Sequence, residues 1–599
     1  MTKSIWALGI AAVIAVVAIL CLPIIASTQI VRDSVAQQVS AWSGYRVRLD
    51  DAPQIRVWPS FKAILNDVVL TDWRDNQGPP VMEAERVEID LSALAALRGE
   101  VVFTKIRLVR PVLRVNGAND APRFQAIPKW GRLAQSIEFT RELLKANPNT
   151  PDLSALPSDA FATIEIEDGR VISASDRTQP PLASGLAGTL SWPALNRSAA
   201  LTARGIWHGE SIVVEASSEQ PLVLLAGGKA PLSVTLKTAP VSLSFAGSAD
   251  FDGNAFIDGR IETSAPSLQR VLEWTSREDW PGSTIKAASL KSNVIGDLTR
   301  IKFENAEIGL GENSATGVFD IGFTAPYPTV TGTLAFKSLD LRSLMLALAP
   351  DSDDPAASPV AHRLNLDLRL SAATATAGSV SMTGVAATAQ VRDGLMSLDI
   401  SDATAFGGMV QIGVRLDSIE DNNHAELRVN AENVNGKAVA STLNLTNLIP
   451  NAPGSFSVFI KGRGSDLQSV LETADGSISA TIGKGTIPGL NLQSFREHND
   501  QGTFFPLADI ANGELPIDGI DFKATLAGGI AWIDKADIRL TSQEKITLGG
   551  LVPFAGRGIA LSGNIVPAAP AEEGVEPPKE TFFIGGSWSA PFIAPFLVE

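Results

Sequence analysis

Four histidines and one cysteine are nearly all this chain offers toward metal or nucleophilic chemistry. His208 lies in Trp207-His208-Gly209 with no second histidine beside it, and His362, His424 and His498 are as isolated, so no zinc-ligand spacing occurs. Serine and threonine are abundant, but no Gly-x-Ser-x-Gly elbow presents a nucleophile. The glycine-rich Ala226 to Pro231 lacks the spacing that cradles a phosphate. Asp351, Asp353 and Asp354 have the chemistry to hold a cation, yet in a proline-containing run they read as solvated acids. No active site is expected, and no cofactor or metal. Lys plus Arg number 49 against 65 Asp plus Glu, a net charge of −16, which argues against nucleic acid and against broad docking on anionic lipid.

The pattern that does carry chemistry is alternation. Val87, Ile89 and Leu91 alternate with Glu88 and Asp90, while Leu364, Leu366, Leu368 and Leu370 alternate with Asn365, Asp367 and Arg369. A strand places such residues on one face, and an apolar face must meet a core, a partner or lipid. Two readings stay open: sheets closed into sandwiches, or an open trough whose apolar face solvates acyl chains. These seven residues are the candidate lipid-facing positions. Burial there is worth ~0.8 kcal/mol per methylene.

Several elements must position those faces. Ile5 to Ala26 carries no charge, and 22 helical residues at ~1.5 Å each span a bilayer's hydrocarbon core, so a transmembrane anchor behind a four-residue tip is expected. A cleaved signal peptide is the rival reading, with Ala26-Ser27-Thr28 a poor cleavage match. Leu20 ahead of Cys21 is bulky for a lipid-attachment site, which leaves that cysteine to helix packing. Val31, Val35, Val39 and Trp42 then recur at helical spacing up to Gly44. Their stripe either caps the end of a sheet or lies at a membrane interface.

Beyond it the period becomes two. Tyr45 to Leu49, Ile64 to Leu70, Val87 to Leu91 and Val101 to Val115, interrupted at Pro111, read as strands. Residues 122–160 read as an irregular insertion with a helical pattern over Leu133 to Ala146. Ala162 to Ile172, with Asp168-Gly169 between its halves, carries a hairpin signature. Short strands at about ten-residue intervals follow, predicting an antiparallel, mainly β body. Three similar hexads, Ser267 to Leu272, Asp340 to Met345 and Asp466 to Leu471, each open on an N-capping residue and predict short amphipathic helices. The run 350–360, Pro-rich and acidic, is the expected linker between a middle region (161–349) and a C-terminal β region (361–599).

The order of tip, anchor, amphipathic helix and strands Gly44 to Leu49, Ile55 to Leu70, Val87 to Leu91 and Ile106 to Val115 resembles the AsmA family. The short helices and Gly489-Leu490-Asn491-Leu492 resemble that family's C-terminal part, although Asn491 is polar where the family is apolar. The resemblance implies a single-pass inner-membrane protein with an elongated periplasmic β-groove over residues 27–121 and onward. It further implies a role in outer-membrane biogenesis through phospholipid carriage between the membranes. The competing expectation is an assembly factor that binds outer-membrane or other envelope proteins through edge strands.

Overall fold

The computed structural model describes residues 29–596 apart from internal segments, the longest being 92–102, 116–127, 276–286, 349–363 and 568–579. The described residues are mainly β with short helices between strands, and they divide into two compact units, Met1–Ile308 and Gly309–Glu599. Among them no helix is long and apolar enough to cross a membrane; the expected anchor, Ile5 to Ala26, lies outside the described residues.

In the N-terminal unit the helix Gln29–Ser43 stops at Gly44, whose φ of +77° suits a helix C-terminus and whose amide donates to the Ser40 carbonyl at 2.8 Å. Ala36 and Val39 of that helix pack on the core of the first strands around Leu49, Leu65, Val68 and Ile89, while the side chains of Val31 and Val35 lie outside the described residues. From Met82–Leu91 onward, consecutive strands pair in order as far as Ala288–Gly296.

One pairing departs from the antiparallel expectation. Phe103–Val115 runs parallel to Thr163–Ser173, with Lys105 opposite Thr163 and Val115 opposite Ser173. Parallel neighbours need a crossover, and the intervening chain, which holds the helix Arg132–Ala146, supplies one. The hairpin expected at Asp168-Gly169 is likewise absent: Thr163–Ser173 is one strand, held on both sides by neighbours. Asp168 adopts φ +55° and the register slips around Gly169, so the two residues form a bulge, a conformation aspartate tolerates without reversing the chain. Pro111 also stays inside a single strand, opposite Ala84 and just after Arg110 at φ +48°.

The C-terminal unit repeats the device. Thr329–Asp340 pairs in parallel with Asn365–Ala377, Thr329 opposite Asn365 and Asp340 opposite Thr376. The expected linker 350–360 lies outside the described residues, and the strands before and after it are direct neighbours of one unit. Antiparallel pairing then proceeds through Asp475–Ile482, which is joined by Glu514–Ala527, and on to Ala590–Pro595. Within each unit the strand pairings build a continuous open sheet.

The three expected short helices form as Leu268–Trp274, Leu341–Leu348 and Leu467–Glu472. Ser267 Oγ caps the first, accepting from the Arg270 amide at 3.3 Å, and Asp340 caps the second, accepting from Arg342 at 3.0 Å.

Candidate functional site

Cross-strand register brings the alternating residues into rows. In the C-terminal unit Leu334 lies opposite Leu370, and the row continues through Ala387, Ile400, Ile412, Val429, Val458, Ile478 and Ala524. Nine strands at ~4.8 Å spacing make it about 38 Å long. Leu368 and Leu366 head two further rows, through Ala389, Leu398, Val414, Leu427 and Ile460, and through Val391, Met396, Leu416 and Ala425. The N-terminal unit has a counterpart: Ile89, Ile106, Ile164, Leu190, Leu201, Ala216, Val234, Phe245 and Ile261. Neighbouring positions face the other way and are polar, as in Glu88, Arg107, Glu165, Thr189, Thr202 and Glu215.

The Ile89 and Leu334 rows begin under cover, open midway and reach buried positions again at Phe245 and Ala524. Ile89 is fully buried and Val87 nearly so, beneath Ala36 and Val39 of the first helix. Leu91 pairs with Phe103, and its side chain lies outside the described residues. Leu370, Ala387 and Ile400 are buried, and Met345 of the helix Leu341–Leu348 packs with Leu366 on Val391 and Met396. Leu364 and Leu368 are half-buried. Farther along, Ile412, Val429, Val458 and Ile478 are half-buried, and Leu427 and Leu201 reach 36% exposure.

Following the same face of Pro453–Arg463 from Val458 to Phe456 and Gly454 leads into a cavity of about 870 Å³. Its walls are two more rows, Phe456, Ala480, Phe522, and Gly454, Ile482, Ile520, Ile538, together with Val439 and Leu443 of the helix Gly436–Leu443. None of the lining residues is charged; Ser455 and Trp588 alone have polar side-chain atoms, and Ser455 Oγ accepts from the Asn433 amide while Trp588 Nε1 donates to the Gly558 carbonyl. The volume lies within the ~300–1,000 Å³ typical of ligand pockets. Val434 and Ile584, on strands far apart in sheet order, line the same space, so the sheet curls around it.

Residues outside the expected set shape this cavity. Asn435 caps the helix Gly436–Leu443, accepting from the Ala438 amide at 3.1 Å, and a Cβ at Gly436 would sit 2.1 Å from the Pro450 carbonyl oxygen. Asn491 caps Leu492–Asn499 in the same way, accepting from Ser494 at 3.1 Å, which explains a polar residue in Gly489-Leu490-Asn491-Leu492. An asparagine ahead of an apolar helical pattern is the sequence signal that marks both helices.

The isolated histidines have local partners. His208, at φ +46° in the turn after Ala199–Trp207, donates from Nδ1 to the Trp274 carbonyl at 2.9 Å, and Trp274 meets Trp207 edge-on at 4.8 Å. His498 contacts its own helix at the Ser494 carbonyl, 2.8 Å away, and His424 lies exposed between Asp417 and Arg463. His362 and Asp351, Asp353 and Asp354 lie outside the described residues. Comparison with protein-family models, with curated proteins and with solved structures finds no match.

Proposed function

We propose that this chain is a non-enzymatic lipid carrier, holding acyl chains against one face of its β sheets, as in the envelope proteins of the AsmA family that its N-terminal order resembles. In that setting an inner-membrane anchor tethers the body in the periplasm, and phospholipid moving between the membranes is the cargo. One observation supports this reading most: the half-exposed apolar row of the C-terminal unit leads into a cavity with no charged lining. Such a surface gains free energy with each methylene it shields, and it has no group for bond-making chemistry.

The test exploits the two faces of one strand. A photo-crosslinking benzoylphenylalanine replaces Ile478, on the apolar face, or Ser477, on the opposite face, in the full-length chain in cells fed radioactive phosphate. Illumination should yield a phosphate-labelled lipid adduct at position 478 and little at 477. No adduct at 478, or equal adducts at both, would sink the proposal.

A further inference from the structure

One wall of the cavity is an excursion from the sheet. Strand Gly485–Pro488 pairs with Glu514–Ala527, Pro488 opposite Glu514, and segment 489–513 is the excursion between them, touching the sheet again midway where Phe505 and Pro506 pair with Ile593 and Phe592 of Ala590–Pro595. Its neck is drawn together by the Gly489 amide donating to the Gly513 carbonyl at 2.9 Å and by the Asn491 amide donating to Ile510 at 3.0 Å. Gly489 has φ +74°, a backbone state that other residues rarely adopt, so the excursion starts at a conformationally special point.

Past the neck, the segment is held on the sheet by the Phe505–Pro506 pairing, by buried Phe495, Phe505 and Ile510, and by Arg496. Phe495 is buried, edge-on to Phe582 at 5.0 Å and to Phe505 at 6.2 Å. Arg496 reaches across two strand ends, with Nη2 donating to Glu544 Oε1 at 2.5 Å and Nε to Glu580 Oε1 at 3.2 Å. Beneath the segment is a second chamber of about 100 Å³, apolar apart from Asn491 in its lining. Leu490 and Leu507 of the segment, with Ile538 and Ile584 of the sheet, border both the chamber and the large cavity.

We infer that segment 489–513 is a hinged lid, latched by Arg496 to Glu544 and Glu580, whose lifting joins the two apolar spaces and admits or releases the hydrophobic tail of the cargo. This rests on the acyl-carrier reading of the cavity. The closed lid places Phe495, Phe505 and Ile510 in the core, while the latch is a polar contact at the surface, where a single substitution changes its strength without emptying the core.

A thiol placed under the lid reports its opening. In the full-length chain with Cys21→Ala, Ile538→Cys marks the wall shared by both spaces and Ala387→Cys marks a buried position on the same unit's apolar row. Arg496→Gln should speed maleimide labelling at position 538 about tenfold and leave 387 unchanged, the loss of two partly exposed ion pairs being of that order. Amide exchange should quicken across 489–513 while Glu514–Ala527 stays protected. If Arg496→Gln fails to accumulate, Arg496→Lys, which keeps one ion pair, should give about a threefold acceleration. Unchanged labelling at 538, or a parallel rise at 387, overturns the lid. The photo-adduct at position 478 is scored in the same strains: an adduct with unchanged labelling removes the lid and leaves the carrier reading standing, whereas faster labelling without any adduct keeps a mobile segment and removes the carrier.

Discussion

Both units spread an apolar row across nine strands, yet they finish the margin of that face differently. In the N-terminal unit the space is filled. Trp42 meets Phe161 edge-on at 5.7 Å and Phe161 meets Trp192 at a tilt at 5.0 Å, and Leu195, Leu222 and Val223 are almost fully buried beside them. The helix Arg132–Ala146 contributes Ile137 and Leu144 to this plug, which sits on Ala230, Leu232 and Ala249, the same face that carries Val234 and Phe245. A cavity of about 530 Å³ in this unit mixes five serines and Glu219 with Pro193, Pro231, Leu232 and alanines. In the C-terminal unit the corresponding apolar margin is hollow and lidded. Pattern alone therefore makes a surface, and large side chains delivered by helices decide whether it becomes core or container.

The contrast can be broken most severely with a charge. Ile89→Asp buries an unpaired carboxylate under the first helix and should cost more than about 4 kcal/mol, unfolding the N-terminal unit, as limited proteolysis would reveal. Ile478→Asp, on the half-exposed row, should leave the circular dichroism and melting of the chain nearly unchanged and abolish the lipid adduct from a crosslinker at Val458. Equal unfolding by both substitutions would erase the distinction between plug and open row.

Truncation sharpens the comparison. Leu195→Ala should destabilise by ~2–5 kcal/mol, because the plug around it is close-packed. Leu507→Ala borders space already empty and should cost less than about 1.5 kcal/mol in the same denaturant titration. Smaller still is the cap: Asn435→Ala should cost ~1 kcal/mol and loosen the helix Gly436–Leu443, seen as faster amide exchange confined to it.

The smallest effect lies on the polar face. Lys105, hydrogen-bonded at 2.6 Å, and then Arg107 at 3.2 Å pull the Glu165 carboxyl below its ordinary value of 4.5. The folded state therefore binds this proton more weakly than the unfolded chain. Its contribution is fully present above about pH 4.5 and disappears as pH falls through the lower folded value. For groups this exposed it is under about 1 kcal/mol. Glu165→Gln should thus melt slightly below the parent at pH 7, with the gap closing toward pH 3.

The strand faces were readable because alternation is local. Val87, Ile89, Leu366, Leu368 and Leu370 all lie on the apolar face, and each belongs to a cross-strand row. Helices announced by a capping residue and a 3.6-residue period were readable for the same reason. Partners in space were not. Nothing within Phe103–Val115 or Thr329–Asp340 states that the next strand arrives in parallel, and Asp168-Gly169 has the composition of a turn but the flanking support of a bulge. The cavity was the least legible feature, since its walls come from Val434, Phe456, Ile482, Ile520, Ile538 and Ile584, on six different strands. Whether a tryptophan fills such a space is decided by distant sequence.

The two parallel pairings also impose an order on how the chain assembles as it emerges from the ribosome. An antiparallel strand can zip onto its predecessor through a short turn, adding one ladder at little loop-closure cost. At Thr163–Ser173 and at Asn365–Ala377 this zipping must pause, because the edge of the growing sheet waits for a long connection to swing back before the next ladder starts. Synthesis is thereby punctuated into three runs, and the exposed edges of Phe103–Val115 and Thr329–Asp340 are the points at which a newborn chain is open to mispairing with a neighbour.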